Sequence, residues 1–172
     1  EGANIWRLGR LHVEGVSGSG LGYLRVANAT QSDIDGVWAR VENLRLSWKP
    51  LNLIFGDVSL IDASAARLRV LRQPNLAPAR GGGGPVEFDT NAPAFAIASL
   101  ELADGVAGPA ATFALSGALR THREALEALH IDLRRLDKDI DSLRVEFANN
   151  GALKLDAELR GAPGGTFAYW LQ

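Results

Sequence analysis

From Phe113 to Leu159 the chain places apolar side chains at every second position, in four successive runs. Phe113/Leu115/Leu119, Leu129/Ile131/Leu133, Leu143/Val145/Phe147 and Leu153/Leu155/Ala157/Leu159 each hold one parity. The other parity carries Arg120, His130, Asp132, Arg134, Arg144, Glu146, Lys154, Asp156, Glu158 and Arg160. A period of two is the signature of a β-strand with one apolar and one solvated face. Successive strands of this kind build an antiparallel sheet whose apolar face needs a cover. A second sheet of the same chain would make a sandwich, and a guest molecule would make a carrier. The pattern leaves that choice open.

Composition narrows the function classes. Hydrophobic residues at 47% and charged residues at 22% suit a folded chain and argue against global disorder. A net charge of −2 gives no general electrostatic reason to bind nucleic acid or an anionic membrane. Without cysteine there is no disulfide, thiolate catalysis or cysteine-based zinc site. The chain has no Met, no leader pattern and no apolar run near the roughly 18–20 residues of a membrane span. It therefore reads as a segment of a longer protein, with any membrane anchor or export signal outside it.

The expected fold class is all-β, with at most one or two short helices. Strands are expected near Ile5–Val13, Leu21–Asn28, Val37–Trp48, Val58–Ala63, Ala66–Arg72, Phe95–Leu102, Thr112–Arg120, Leu129–Leu136, Ser142–Ala148, Ala152–Arg160 and Thr166–Leu171. Glu14-Gly15, Ser17–Gly20, Asp35-Gly36, Asn149–Gly151 and Pro163–Gly165 read as turns between them. Short helices are expected after Pro50, ending at Gly56, and after a capping Thr121, through Arg123–Ala128. Residues 75–93, with Gly81–Gly84 and flanking prolines, read as a loop or an artificial join between a first β segment, 1–74, and a second, 94–172. Within Gly36–Trp48 the apolar parity switches from Val37/Ala39/Val41 to Leu44/Leu46/Trp48, and Phe95/Ile97 switch likewise to Leu100/Leu102. Such switches predict bulges, which bend and twist strands and curve a sheet into a trough.

No enzyme motif emerges. His12, His122 and His130 lack metal-ligand spacing, and the Gly15–Gly22 run lacks a phosphate-binding fingerprint. Asp137/Asp139/Asp141 alternate like the start of a calcium loop. Ser142 and Ala148, however, occupy the positions that need glycine and a bidentate glutamate, so an acidic turn is the reading. No cofactor is expected. The cations of Ala66–Arg72 and Arg134–Arg135 come without aromatic stacking partners, which argues against nucleic acid.

The run Gly36-Val37-Trp38 … Leu44-Arg45-Leu46-Ser47-Trp48-Lys49-Pro50-Leu51-Asn52-Leu53-Ile54-Phe55-Gly56-Asp57-Val58 resembles the N-terminal part of the translocation and assembly module (TamB-like) family, among the AsmA-like bridge proteins. Ala65–Pro74 and the Leu153-Lys154-Leu155 … Gly161–Gly165 ending continue the likeness, leaving out Asn75–Val86. The resemblance implies a β-taco, an elongated antiparallel sheet curled into an apolar groove in the periplasm. It also implies passage of phospholipids between inner and outer membranes, and an outer-membrane BamA/TamA-like barrel as partner. The groove lining it implies is Trp38, Leu44, Leu46, Trp48, Leu60, Leu68 and Val70, followed by Phe113, Leu115, Leu119, Leu129, Ile131, Leu133, Leu143, Val145, Phe147, Leu153, Leu155 and Leu159. Two alternatives stand beside it: an assembly factor for outer-membrane barrels acting by β-strand augmentation, and a structural β-sandwich without lipid.

Overall fold

Alternation that exposes one face and hides the other gives strands, and in the computed structural model the described residues are mostly strand. The structure describes residues 2–5, 9–19, 22–51, 57–75, 89–122, 125–138, 141–149, 151–162 and 166–167. Ten strands form: β1 Gly2–Ile5, β2 Gly9–Ser19, β3 Tyr23–Asp33, β4 Gly36–Trp48, β5 Asp57–Val70, β6 Asp89–Leu102, β7 Ala111–His122, β8 Ala125–Arg135, β9 Ser142–Asn149 and β10 Leu153–Arg160. They make one open, curled sheet in which spatial order equals chain order. Among the described residues no second sheet faces it, and strands contact substantially only their hydrogen-bonded neighbours.

One junction departs from the antiparallel expectation. β5 and β6 run parallel, with Asp57 opposite Asp89 and Val70 opposite Leu102, whereas every other pair is antiparallel. A parallel pair requires the chain to return to its starting end before pairing, and that return falls between Val70 and Asp89. The expected loop is also shorter than read: β6 begins at Asp89 and contains Pro93, while 76–88 lie outside the described residues. Pro93 is tolerated because it falls within the register shift between Ala92 and Phe95, where no regular ladder donor is needed.

Other expectations change with this sheet. The two strands expected at Val58–Ala63 and Ala66–Arg72 are the single β5, because Ser64 and Ala65 stay paired across it. The first expected strand is instead the β1–β2 hairpin. The helix expected after Thr121 is absent: Thr121 pairs with Leu126 and His122 with Ala125, so sheet pairing overrides the capping signal. Pro50 and Leu51 are helical, and the rest of that expected helix lies outside the described residues. Thr166 and Phe167 are helical where a strand was expected, the remainder of Thr166–Leu171 being outside the described residues.

The predicted parity switches are present, and they align. On β4 the inner face passes from Val41 to Leu44 across Asn43, whose φ is 53°. The pairings Val13↔Ala29 and Val16↔Val26, Val26↔Leu44 and Ala29↔Val41, Val41↔Leu68, Ala65↔Ile97 and Leu68↔Leu100 carry the same one-residue step from β2 to β6. Because neighbouring strands share the extra residue, register is kept among them, and the mismatch surfaces only against β7, between Ile97 and Leu100. The step residues Gly15, Ala27, Asn43, Ala66 and Ala98 are all exposed, while Val26, Ala29 and Ala65 beside them are buried. An aligned row of bulges creases the sheet across its strands. Gly15, with φ 63°, belongs to this crease and not to a turn; a β-carbon on it would stand 2.6 Å from that of Ala27.

A second close approach fixes β7. A β-carbon added to Gly117 would collide with the His130 carbonyl oxygen and stand 2.5 Å from the Phe95 ring. Gly117→Ala is therefore expected to lower stability by about 1–3 kcal/mol through overpacking, read as a shifted midpoint in urea unfolding. An unshifted midpoint would contradict the packing.

Candidate functional site

The inner face of the creased half is an apolar trough. Its walls are Leu24, Val26, Ala29, Ala39, Val41, Leu44, Leu46, Ala63, Ala65, Leu68, Val70, Phe95, Ile97, Leu100 and Leu102, brought into cross-strand rows by register. At its centre Val41, Leu44, Ala65, Leu68, Phe95 and Ile97 line a hollow of about 210 Å³. Its exposed lining is wholly apolar, so water gains nothing there. The outer face above it is polar and self-paired: Arg67 meets Glu42 at 3.0 Å and Glu101 at 2.8 Å, and Arg69 meets Glu101 at 2.7 Å.

Most of the expected lining residues fall on this face. Leu44, Leu46, Leu68 and Val70 are in the trough, and a bulge at Ser47/Trp48 brings Trp48 opposite Leu60 at its rim. Trp38 stands apart: it is the extra residue of the bulge at Gln31/Ser32, out of step with Ala39 and Val41. In the second half the rows are Leu119–Leu129–Phe147–Leu155, Ile131–Val145–Ala157 and Leu115–Leu133–Leu143–Leu159. Leu153 sits beyond Phe147, opposite Asn149. On β10, Leu153 and Leu155 are 71% and 63% exposed, so this apolar face reaches the sheet edge uncovered. The residues not anticipated are Leu24, Phe95, Leu100 and Leu102 together with the small and β-branched ones of β3 to β6. The parity switch that marks Leu44 marks them too, once β2, β3 and β5 are read as unbroken strands.

Part of the expected lining is already occupied. Phe113 is fully buried and Leu133 nearly so, because Phe167 lies against them, its ring centroid 5.9 Å from that of Phe113. Leu100, Leu102, Leu115 and Leu143 pack around this pair. The expected acidic turn after β8 holds the arrangement. Arg135, its side chain 3% exposed, donates to Asp141 at 2.8 Å, to Thr166 Oγ1 at 2.9 Å and to Asp137 at 2.8 Å. Burial pushes the Asp141 carboxyl up, but Arg135 and the Ala162 and Thr166 amides outweigh it, and the net shift is downward. The hydrogen bond from Arg135 holds Asp137 down to about 2, and burial opposes it. A similar clasp ties the β3–β4 turn to the residues after β5. Asp33 accepts from Arg72 and from the Asn75 amide, and Arg72 holds its carboxyl well below the usual range.

The sign of the acid response follows. A carboxylate with a depressed pKa contributes stability above its unfolded value, and loses it as pH falls towards the folded one. Melting temperature should therefore stay level from neutral pH to near the ordinary 3.8, then fall towards about 2. Asp137→Asn should fall less steeply in that window. Equal slopes in thermal melts would remove Asp137 from the account.

The larger hollow, about 510 Å³, opens on the charged face, over Ala118, Ala128 and Ala148 between Arg120, His130 and Lys154. Arg120 pairs there with Glu127 at 3.1 Å, and His130 Nδ1 lies 3.7 Å from Glu146. Among the described residues no group of three or more His, Asp or Glu could hold a metal ion, and no helix is long and apolar enough to cross a membrane. Comparison with family models, curated proteins and solved structures finds no match to this chain.

Proposed function

We propose that this chain carries phospholipid acyl chains in the creased trough, as a periplasmic segment of a bridge-like protein linking two membranes. The observation that carries the reading is the trough itself: a creased, apolar inner face with a hollow along its fold line and no opposing sheet among the described residues. Acyl tails of roughly 14–16 methylenes lose about 0.8 kcal/mol per CH₂ on entering water, so two tails need on the order of 20 kcal/mol of apolar replacement. From β2 to β6 the crease crosses four strand spacings of ~4.8 Å, about 19 Å. That is enough for the acyl depth of one bilayer leaflet, ~15 Å. Trp48, at the rim, carries an indole N–H that is buried without a hydrogen-bond partner among the described residues. Trp favours sites where an apolar body meets a polar end, as at this rim. The sequence resemblance of Gly36–Val58 to the TamB-like family points the same way.

Crease geometry supplies the test. Photo-crosslinkers at Leu44 or Leu68 should label phospholipid in vesicle-loaded protein, whereas those at the outward step residues Ala66 and Ala98 should not. Equal labelling from both faces, or no phospholipid co-purifying by native mass spectrometry, would reject the carrier reading. An edge-strand assembly role predicts instead that proline in β10 abolishes client binding and leaves bound lipid unchanged.

A further inference from the structure

We infer that Phe167 is the stop of this trough and sets how long an alkyl chain can lie in it. The inference rests on the lipid-carrying reading and adds to it the residue that selects chain length. The inner residues flanking the crease on β6, Ile97 and Leu100, face Leu115 and Phe113 on β7. The crease axis therefore runs from β6 directly into the Phe113–Phe167 pair, whose rings are tilted by 38°. Phe167 comes from beyond β10, three strands away in the sheet, and crosses to β7 over the apolar face. It is a placed side chain and not a loose one. Thr166 next to it is 1% exposed and accepts from Arg135, and Asp141 holds both Arg135 and the Ala162 amide at 3.0 Å. Before the wall lies the apolar hollow; past it, Ile131, Val145 and Leu155 resume a partly open apolar face. On the crease line this side chain ends the apolar stretch, while the neighbouring row Phe95–Gly117–Ile131–Val145 passes beside it.

A chain seated along the crease gains contact with each added methylene until its methyl end meets the wall. Each methylene in the trough is worth about fourfold in affinity. The test is titration of the purified protein with lysophosphatidylcholines from decanoyl to stearoyl, followed by calorimetry. The unaltered protein should gain about fourfold per methylene and level off in the myristoyl to palmitoyl range. Phe167→Ala should keep gaining through stearoyl, ending about 16-fold above the unaltered protein for that ligand if the latter levels off at palmitoyl, and about 250-fold if it levels off at myristoyl. Phe167→Leu, which keeps an apolar side chain on Phe113, should level off later than the unaltered protein, and it carries the test if the alanine variant fails to fold. If both variants level off at the unaltered length while binding persists, Phe167 is not the stop and the trough reading stands. If the unaltered protein binds no chain of any length, the trough reading itself fails.

Discussion

Arg135→Ala is expected to lower the free energy of unfolding by about 3–5 kcal/mol, the range for breaking a buried ion pair on one side. Arg135 and Asp141 are each 3% exposed in their side chains, so removing the guanidinium strands a carboxylate away from water. The same substitution removes the donor to Thr166 and leaves Phe167 without its polar anchor. Two signatures distinguish this from general damage. The double variant Arg135→Met/Asp141→Leu, which removes both charges and keeps volume, should recover most of the loss, because a matched apolar pair is often as stable as a buried salt bridge. Arg135→Ala should also bind an apolar dye more strongly than the double variant, since freeing Phe167 uncovers Phe113 and Leu133. Urea unfolding and dye fluorescence check both. A loss under about 1 kcal/mol would show that the pair is solvated.

Phe113→Ala should cost a comparable amount, about 3–5 kcal/mol, from lost apolar transfer and the cavity left behind. Phe113 is the largest fully buried side chain of the sheet, and six surrounding residues close over it with Phe167. The wall is formed by one side chain from the sheet and one from beyond it, so the two substitutions should not add. Phe113→Ala made in a Phe167→Ala background should fall short of the sum by roughly 0.5–1.5 kcal/mol, the coupling typical of an aromatic pair. Additive losses in denaturant titrations would show that the rings do not act as a unit.

The second half of the molecule was open to reading because its alternation is unbroken. Leu129/Ile131/Leu133 and Leu143/Val145/Phe147 pair in the register that their parity requires. In the first half the same rule operates through an interruption. Gly15 looks like a turn residue and supplies a positive φ inside a strand. Ala63–Ala66 looks like a break and is the place where β5 steps across the crease. Only the switches at Val41/Leu44 and Ile97/Leu100 stood out, because leucines and phenylalanines flank them, whereas the others use alanine and valine. Strand direction at β5–β6 leaves no local trace, since parallel and antiparallel partners ask for the same alternation. Phe167 was beyond reach for a different reason. Its place depends on Arg135, Asp141 and Thr166 meeting across the sheet, and nothing in the sequence around Thr166 signals that meeting.

The parallel junction has a consequence for how the chain acquires its form. Every other pairing joins strands adjacent in the chain by short connections, which zip locally on the timescale of hairpins. β5 and β6 can meet only after the longer stretch from Leu71 to Phe88 has closed, an entropic cost incurred before any ladder bond repays it. Two ribbons of five strands should therefore fold early and apart, and unite late. Amide hydrogen exchange after brief refolding should protect β3–β4 and β7–β8 before β5–β6, and simultaneous protection would refute the order. In the finished protein that seam lies inside the creased stretch, which runs on into β6, so whatever loosens it splits the trough between β5 and β6.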